Sequence, residues 1–302
     1  LIGLDPRGVG MSTPVRCDPV LWNDAPSLFP RDAAGFAALQ AHTQAVGQNC
    51  LAMTGPLLSH LDTVSAARDM EQVRLALGGE PLNYLGLSYG TQLGATYAEL
   101  YPDQIRVMAL DGALDHGQRG LAMLNDESRA YEGELTRFAA WCAEEASCSL
   151  HGQDVLARYD NLVAAASATP IPAPQCAASG VCRGEVTGND IRLGTQNLLL
   201  IKDPVPELGI AGWEALADAI IAAEQGDASA FSREIATGET SHLFPELAIA
   251  CADWRTNLAT WEDLQAYEIF GKTIAPYTQG ASQTLTILTG CMGWPVPVAN
   301  PP

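Results

Sequence analysis

The chain has 302 residues, a formal net charge of −19, 47% hydrophobic and 17% charged content. Those values describe a globular protein large enough for one or two domains and exclude a disordered chain. Only two lysines, Lys202 and Lys272, stand among 35 acidic residues, so the clustered cations needed to neutralise phosphates are missing and no nucleic-acid partner is expected. No apolar run approaches the ~18 residues of a membrane span, so no membrane-spanning segment is expected.

In chain order, residues Leu1 to Asp5 read as a strand, followed by a glycine-rich loop from Pro6 to Pro14. Gly8-Val-Gly10 does not extend to Gly-x-Gly-x-x-Gly and no lysine follows it, so the loop reads as structural, not as a phosphate cradle. Residues 17–32 are proline-rich and irregular. A helix pattern starts at Ala33 with Phe36, Leu39, Val46 and Cys50 on one face. A second helix runs from Thr63 to Leu77 with Ala66, Met70, Val73 and Leu77 as its stripe, ended by Gly78-Gly79.

The next stretch is the most informative. Leu82-Asn-Tyr-Leu is a short apolar run that bends at Gly86-Leu-Ser88-Tyr-Gly90 and continues as a helix pattern to Pro102. Strand, Gly-x-Ser-x-Gly, helix is the layout of a nucleophile elbow. A serine lifted onto so tight a turn sits in a strained backbone conformation, and crowding across the turn calls for glycine at Gly86 and Gly90. The helix that follows aims its N-terminal N–H groups and positive dipole end at the serine, where an oxyanion would form. Leu93, Tyr97, Leu100 and Tyr101 recur at helical spacing, and Gly94 lets that helix press on a sheet. Arg106 to Asp111 is a further short strand, so residues 1–115 alternate strand and helix as a parallel α/β sheet does.

From His116 to about residue 285 the patterns are helical, around Tyr131, Leu135 and Phe138, then Leu156, Tyr159, Leu162 and Val163. A proline- and alanine-rich loop, 168–183, precedes further helices at Trp213 to Glu224, Leu247 to Trp254 and Trp261 to Phe270. The expected organisation is a partial α/β-hydrolase core at 1–115, a helical cap at 116–285 and a return segment at 286–302. The chain opens on a strand-like run with no initiator methionine and ends at Asn300-Pro-Pro302, and it reads as an internal piece of a longer protein.

Eight cysteines occur, and neither close couple is Cys-x-x-Cys or has histidine at ligand spacing, so no zinc site, no other metal and no cofactor are expected. Sequence does not fix the connectivity. Nearest-neighbour disulfides Cys17–Cys50, Cys142–Cys148, Cys176–Cys182 and Cys251–Cys291 are the expectation, with an oxidising, secreted or cell-envelope location.

A serine nucleophile needs a base and an orienting acid, in the chain order Ser, Asp or Glu, His for this layout. His42 and His60 precede Ser88, and His116 follows Asp111 and Asp115 too closely for acid and base to come from separate strand ends. His151 and His242 fall in the helical region, where an exposed polar role is the simpler reading, and Asp111 reads as a loop cap. No convincing triad is present in these residues.

Taken together, Asp5-x-Arg7-Gly8-x-Gly10-x-Ser12, Asp69 to Gly78, Gly86-Leu-Ser-Tyr-Gly-Thr91, Tyr97-Ala-Glu-Leu-Tyr-Pro102 and Leu110-Asp-Gly-Ala-Leu-Asp115 resemble one family. It is the secreted tripeptidyl-aminopeptidase-like serine peptidases of actinobacteria, in the α/β-hydrolase clan that includes proline iminopeptidase. Trp213 to Ala219, Ala248 to Asp253 and Cys291-Met-Gly-Trp-Pro295 resemble that family's cap and cap exit, so the likeness spans nearly the whole chain. The resemblance implies Ser88 as nucleophile and the Tyr89 N–H as one oxyanion donor. It implies a further oxyanion loop before residue 1 and the acid and histidine after residue 302. On that reading this chain alone is not a competent peptidase. The implied substrate is a peptide with a free N-terminus, its ammonium held by cap carboxylates, for which Glu246 and Asp253 are the candidates. An esterase on the same fold, or an inactive peptide-binding homologue, are the alternatives.

Overall fold

The computed structural model describes residues 2–300. In chain order the elements are α1 (Pro19–Asn23), α2 (Ala33–Thr54), α3 (Thr63–Ala76), β1 (Leu82–Leu87), α4 (Tyr89–Leu100) and β2 (Ile105–Asp111). They continue as α5 (Gly120–Glu144), α6 (Val155–Ala168), β3 (Ile171–Pro172), α7 (Pro174–Ser179), β4 (Glu185–Val186) and α8 (Gly188–Leu199). The last are α9 (Trp213–Glu224), α10 (Leu243–Asp253), α11 (Trp261–Ile274) and α12 (Gln283–Gly290).

The chain divides into two compact units. The first comprises residues 1–120, 238–259 and 287–302; the second comprises 121–237 and 260–286. The helical pattern of 238–259 places it in the expected cap, yet it belongs to the first unit. The reason is a set of long-range ties. Cys251 is bonded to Cys291, the Asp253 carboxylate takes the Thr63 N–H, and the Cys17 N–H donates to the Glu239 carbonyl. Residues 299–300 add to them by donating both backbone N–H groups to the Ala252 carbonyl.

In the first unit β1 and β2 pair in parallel, with Asn83 opposite Val107 and Leu87 opposite Asp111. The parallel pairing joined by a helix agrees with the expected α/β class. The expected first strand does not form: residues 2–5 join no ladder among the described residues, and Leu1 lies outside them. The nearest pairing is an isolated bridge between Gly8 and Pro14.

α3 begins at Asp62, whose carboxylate accepts the Ser65 N–H at 2.9 Å and so satisfies one of the helix's unpaired donors. Its buried face carries Thr63, Ala66, Ala67, Met70, Glu71 and Arg74. The expected stripe is correct at Ala66 and Met70 but not at Leu77, which is exposed. Arg74 takes the inward position because its charge is neutralised there: two guanidinium N–H groups donate to the Glu71 carboxylate, each at 2.8 Å. α4 lays Leu93 and Tyr97 on Ala66, Ala67 and Met70, with Leu82, Tyr84 and Ile105 of the sheet packed around them. Burying each such large apolar side chain contributes roughly 1.5–3 kcal/mol. The other sheet residues Leu85, Leu87, Val107 and Leu110 are exposed.

The second unit is mostly helical. Its core gathers Leu135, Phe138, Tyr159, Leu162, Ile191, Trp213, Leu216 and Phe231, with the Trp213 Nε1–H donating to the Leu199 carbonyl at 3.1 Å. β3 and β4 form a short antiparallel pair, and β3 and α7 lie within the stretch 168–183 expected as a loop. Glu132 ties α5 to the segment after α11 by accepting the Tyr277 and Thr278 N–H groups, both at 3.0 Å.

The sulfur atoms of Cys17 and Cys50, Cys142 and Cys148, Cys176 and Cys182, and Cys251 and Cys291 lie at bonding distance. Among the described residues no helix is long and apolar enough to cross a membrane.

Candidate active site

Ser88 sits between the end of β1 and the first residue of α4, with φ 51° and ψ −119°. A non-glycine residue at positive φ costs on the order of 1–3 kcal/mol, and such strain persists only where its surroundings over-determine it. Here they do. The Ser88 N–H donates to the Asp111 carbonyl at the end of β2, at 3.0 Å. Its carbonyl accepts the Thr91 N–H at 2.8 Å and the Thr91 hydroxyl at 2.6 Å, and Thr91 Oγ1 in turn accepts the Leu114 N–H at 2.9 Å. The side chain of Ser88 faces outward as an exposed residue.

The two elbow glycines are not equivalent. A Cβ on Gly86 would stand 2.4 Å from the Gly90 carbonyl oxygen, an impossible contact with backbone. A Cβ on Gly90 would meet only the Tyr84 hydroxyl, at 3.5 Å, an ordinary contact. The crowding expected across the turn is therefore relieved at Gly86 alone. Gly94 is required for a different reason, because its added Cβ would collide with the Tyr84 ring at 2.5 Å. That ring crosses the turn to place its hydroxyl on the Gly90 carbonyl, a donated bond of 2.6 Å.

Tyr89 supplies the first N–H of α4, one of the helix donors with no acceptor in its own helix. Its ring points inward to the buried Thr63, with 2.8 Å between the two hydroxyl oxygens. Burial raises the Tyr89 phenol well above its ordinary value, and the Tyr84 phenol also rises on burial. Both stay neutral hydrogen-bonding groups at physiological pH.

Glu246 and Asp253, the two carboxylates expected to bind an amine, stand in different settings. Glu246 is exposed in the first turn of α10. Asp253, in the last turn, has no solvent exposure, and its carboxylate accepts from the Thr63 N–H and hydroxyl, the Gln92 amide and the Asn300 amide. Burial pushes its carboxyl up, against the opposing effect of the Thr63 bonds. Both carboxylate oxygens of Asp253 are thus occupied by partners inside the protein.

Among the described residues no hydrogen bond reaches the Ser88 hydroxyl from a histidine. His116 instead places Nε2 3.0 Å from the Asp253 carbonyl and meets Trp254 edge-on, and the His151 ring bonds the Cys142 carbonyl. Thr63, Tyr84, Thr91 and Gln92 were not singled out by the sequence reading. The signal for them is a polar residue inside an otherwise apolar helix face: Gln92 beside Leu93, and Thr63 one turn before Ala66 and Ala67. Among the described residues, no group of three or more His, Cys, Asp or Glu side chains could hold a metal ion.

Comparison with known proteins follows the same outline. A family model described as the alpha/beta hydrolase fold matches residues 1–159. The serine protease Hip1 of Mycobacterium tuberculosis is 36% identical over 155 residues, covering 50% of this chain and 30% of that protein. The tripeptidyl aminopeptidase of Streptomyces lividans is 38% identical over 148 residues, covering 47% of this chain and 27% of that protein. The putative hydrolase YuaR of Escherichia coli is 30% identical over 258 residues, covering 82% of this chain and 45% of that protein. The chain thus spans less than half the length of each of these relatives. With the strained serine turn, the parallel strands on either side of its helix, and more than half its length matched by that family's model, the chain belongs to the alpha/beta hydrolase fold family.

Proposed function

We propose that this chain carries the nucleophile and the substrate-facing elements of an extracellular serine exopeptidase of the tripeptidyl-aminopeptidase kind. The observation that carries the reading is the conformation of Ser88: an exposed side chain held at positive φ at the N-terminus of α4. In the proposed reaction the Ser88 oxygen attacks the scissile carbonyl, and the Tyr89 N–H stabilises the negative oxygen that forms. The amine leaves with a proton and water then releases the acyl group from Ser88.

The proton acceptor for Ser88 is not assigned to this chain. His116 is turned to the Asp253 carbonyl, and no histidine bonds the serine among the described residues. We assign the base and its acid to residues elsewhere in the protein, so that the 302-residue chain alone retains only a small fraction of the rate. The relatives' names support the peptidase class, and the four disulfides fit an oxidising, extracellular location. We assign the second unit, 121–237 with 260–286, to the cap. Glu246, exposed in the first turn of α10, is the proposed partner of the substrate's terminal ammonium.

The test is turnover by the full-length protein of a tripeptide anilide with a free N-terminus against its N-acetylated form. The free peptide should be preferred by at least about tenfold, the effect of ~1.4 kcal/mol of charge recognition, and Glu246→Gln should shrink that preference through KM. Equal rates on the two forms would discard the exopeptidase reading, and activity confined to simple esters would replace it with an esterase.

A further inference from the structure

The chemistry just proposed makes no use of the most thoroughly hydrogen-bonded carboxylate near Ser88. Asp253 Oδ1 accepts the Thr63 N–H at 2.9 Å and an Asn300 Nδ2–H at 3.2 Å. Its Oδ2 accepts the Thr63 hydroxyl and the Gln92 Nε2–H, the latter at 3.2 Å. A threonine hydroxyl has one proton. With that proton directed at Asp253, Thr63 Oγ1 faces Tyr89 only as an acceptor, so the Tyr89 phenol donates the 2.8 Å bond between them. The donors therefore run in one direction, from Tyr89 to Thr63 to Asp253.

This chain of bonds grips α4 at two points. Tyr89 and Gln92 are three residues apart and so share one face of the helix. One is held through Thr63 and the other directly, and both attachments end on the same carboxylate. A single anchor would let the first turn of α4 pivot; two on one face fix its orientation. The carboxylate itself is immobilised by the first N–H of α3 and by α10, whose last turn is tied by the Cys251–Cys291 disulfide. A buried, fully satisfied polar network of this kind specifies one geometry more sharply than apolar packing does.

We infer that Asp253, acting through Thr63, Tyr89 and Gln92, is a positioning residue that holds the first turn of α4 so that the Tyr89 N–H points at the oxygen made anionic by attack of Ser88. The inference rests on the reading of Ser88 as the nucleophile. Its consequence is specific: loosening the network harms the transition state and leaves substrate binding alone, because displacing an oxyanion donor by about 1 Å costs about a hundredfold while ground-state contacts are unaffected.

The test uses the full-length protein with active sites titrated by a fluorophosphonate, so that every rate is per competent site. Tyr89→Phe, which keeps the backbone N–H and the ring, and Asp253→Asn should each lower kcat at least about tenfold with KM within about twofold. Tyr97→Phe is the matched control. It also deletes a phenol bond between α4 and α3, donated to Glu71 at 2.7 Å, but two turns from the elbow. It should lower Tm and leave kcat per site unchanged. Rates for Tyr89→Phe within twofold of wild type, or an equal loss in Tyr97→Phe, would overturn the inference; Tyr89→Phe decides the question if Asp253→Asn does not fold. A wild-type protein whose Ser88 takes no label would remove the nucleophile reading and this inference with it, an outcome distinct from a labelled enzyme whose variants are unimpaired.

Discussion

Ser88 is held by bonds to its own backbone more than by anything its side chain does. Its N–H is fixed by Asp111 and its carbonyl by Thr91, and Tyr84 holds the Gly90 carbonyl two residues on. The steric requirement concentrates on Gly86, whose missing Cβ leaves room for the Gly90 carbonyl. Gly86→Ala should therefore destabilise the protein by about 1–3 kcal/mol in a denaturant titration, the usual cost of overpacking, whereas Gly90→Ala should cost less than half as much. Equal losses for the two substitutions would contradict this account of the turn. The Gly-x-Ser-x-Gly pattern made the elbow legible but presented its glycines as equals. Their difference depends on where the Gly90 carbonyl lies, which pattern alone does not carry.

At the scale of elements, α3 and α4 are joined by a charged cluster inside their apolar contact. The Arg74 guanidinium holds the Glu71 carboxyl down to about 2, and the Tyr97 phenol adds a further bond to it, while burial works against both. A folded-state pKa below the ordinary value of 4.5 stabilises the fold above about pH 4.5. That contribution drains away as pH falls from there through about 2. The Tm of wild type should drop more steeply across this window than that of Glu71→Gln, and parallel acid limbs for the two proteins would refute the assignment. Periodicity placed α3 and its Ala66 and Met70 correctly. It extended the stripe to Leu77 because it weighs residues one by one, and an arginine is admitted to a core only by a partner that lies on the same buried face.

For the molecule as a whole, the strand-helix alternation was enough to reach the α/β class, and the motifs between Asp5 and Asp115 carried the resemblance to the family, whose model matches residues 1–159. The division into units was only partly legible. Segment 238–259 is helical like its neighbours, and what draws it into the first unit is one disulfide, one buried carboxylate and backbone bonds from distant residues. The Cys251–Cys291 pairing is expected from the sequence, but the carboxylate's partners and the backbone bonds are not visible as local pattern. The same segment shows why residue type is a weak guide to role: Glu246 and Asp253 are both acidic residues of α10, yet one is exposed and the other is sealed inside.

Peptide cleavage by this protein requires Ser88 as the nucleophile. The most direct measurement is reaction of the full-length protein with a fluorophosphonate probe, followed by peptide mapping of the adduct. The account predicts a single stoichiometric label on the peptide that contains Ser88, abolished in Ser88→Ala while the variant keeps its wild-type Tm. A label on another serine, or undiminished labelling of Ser88→Ala, would contradict it.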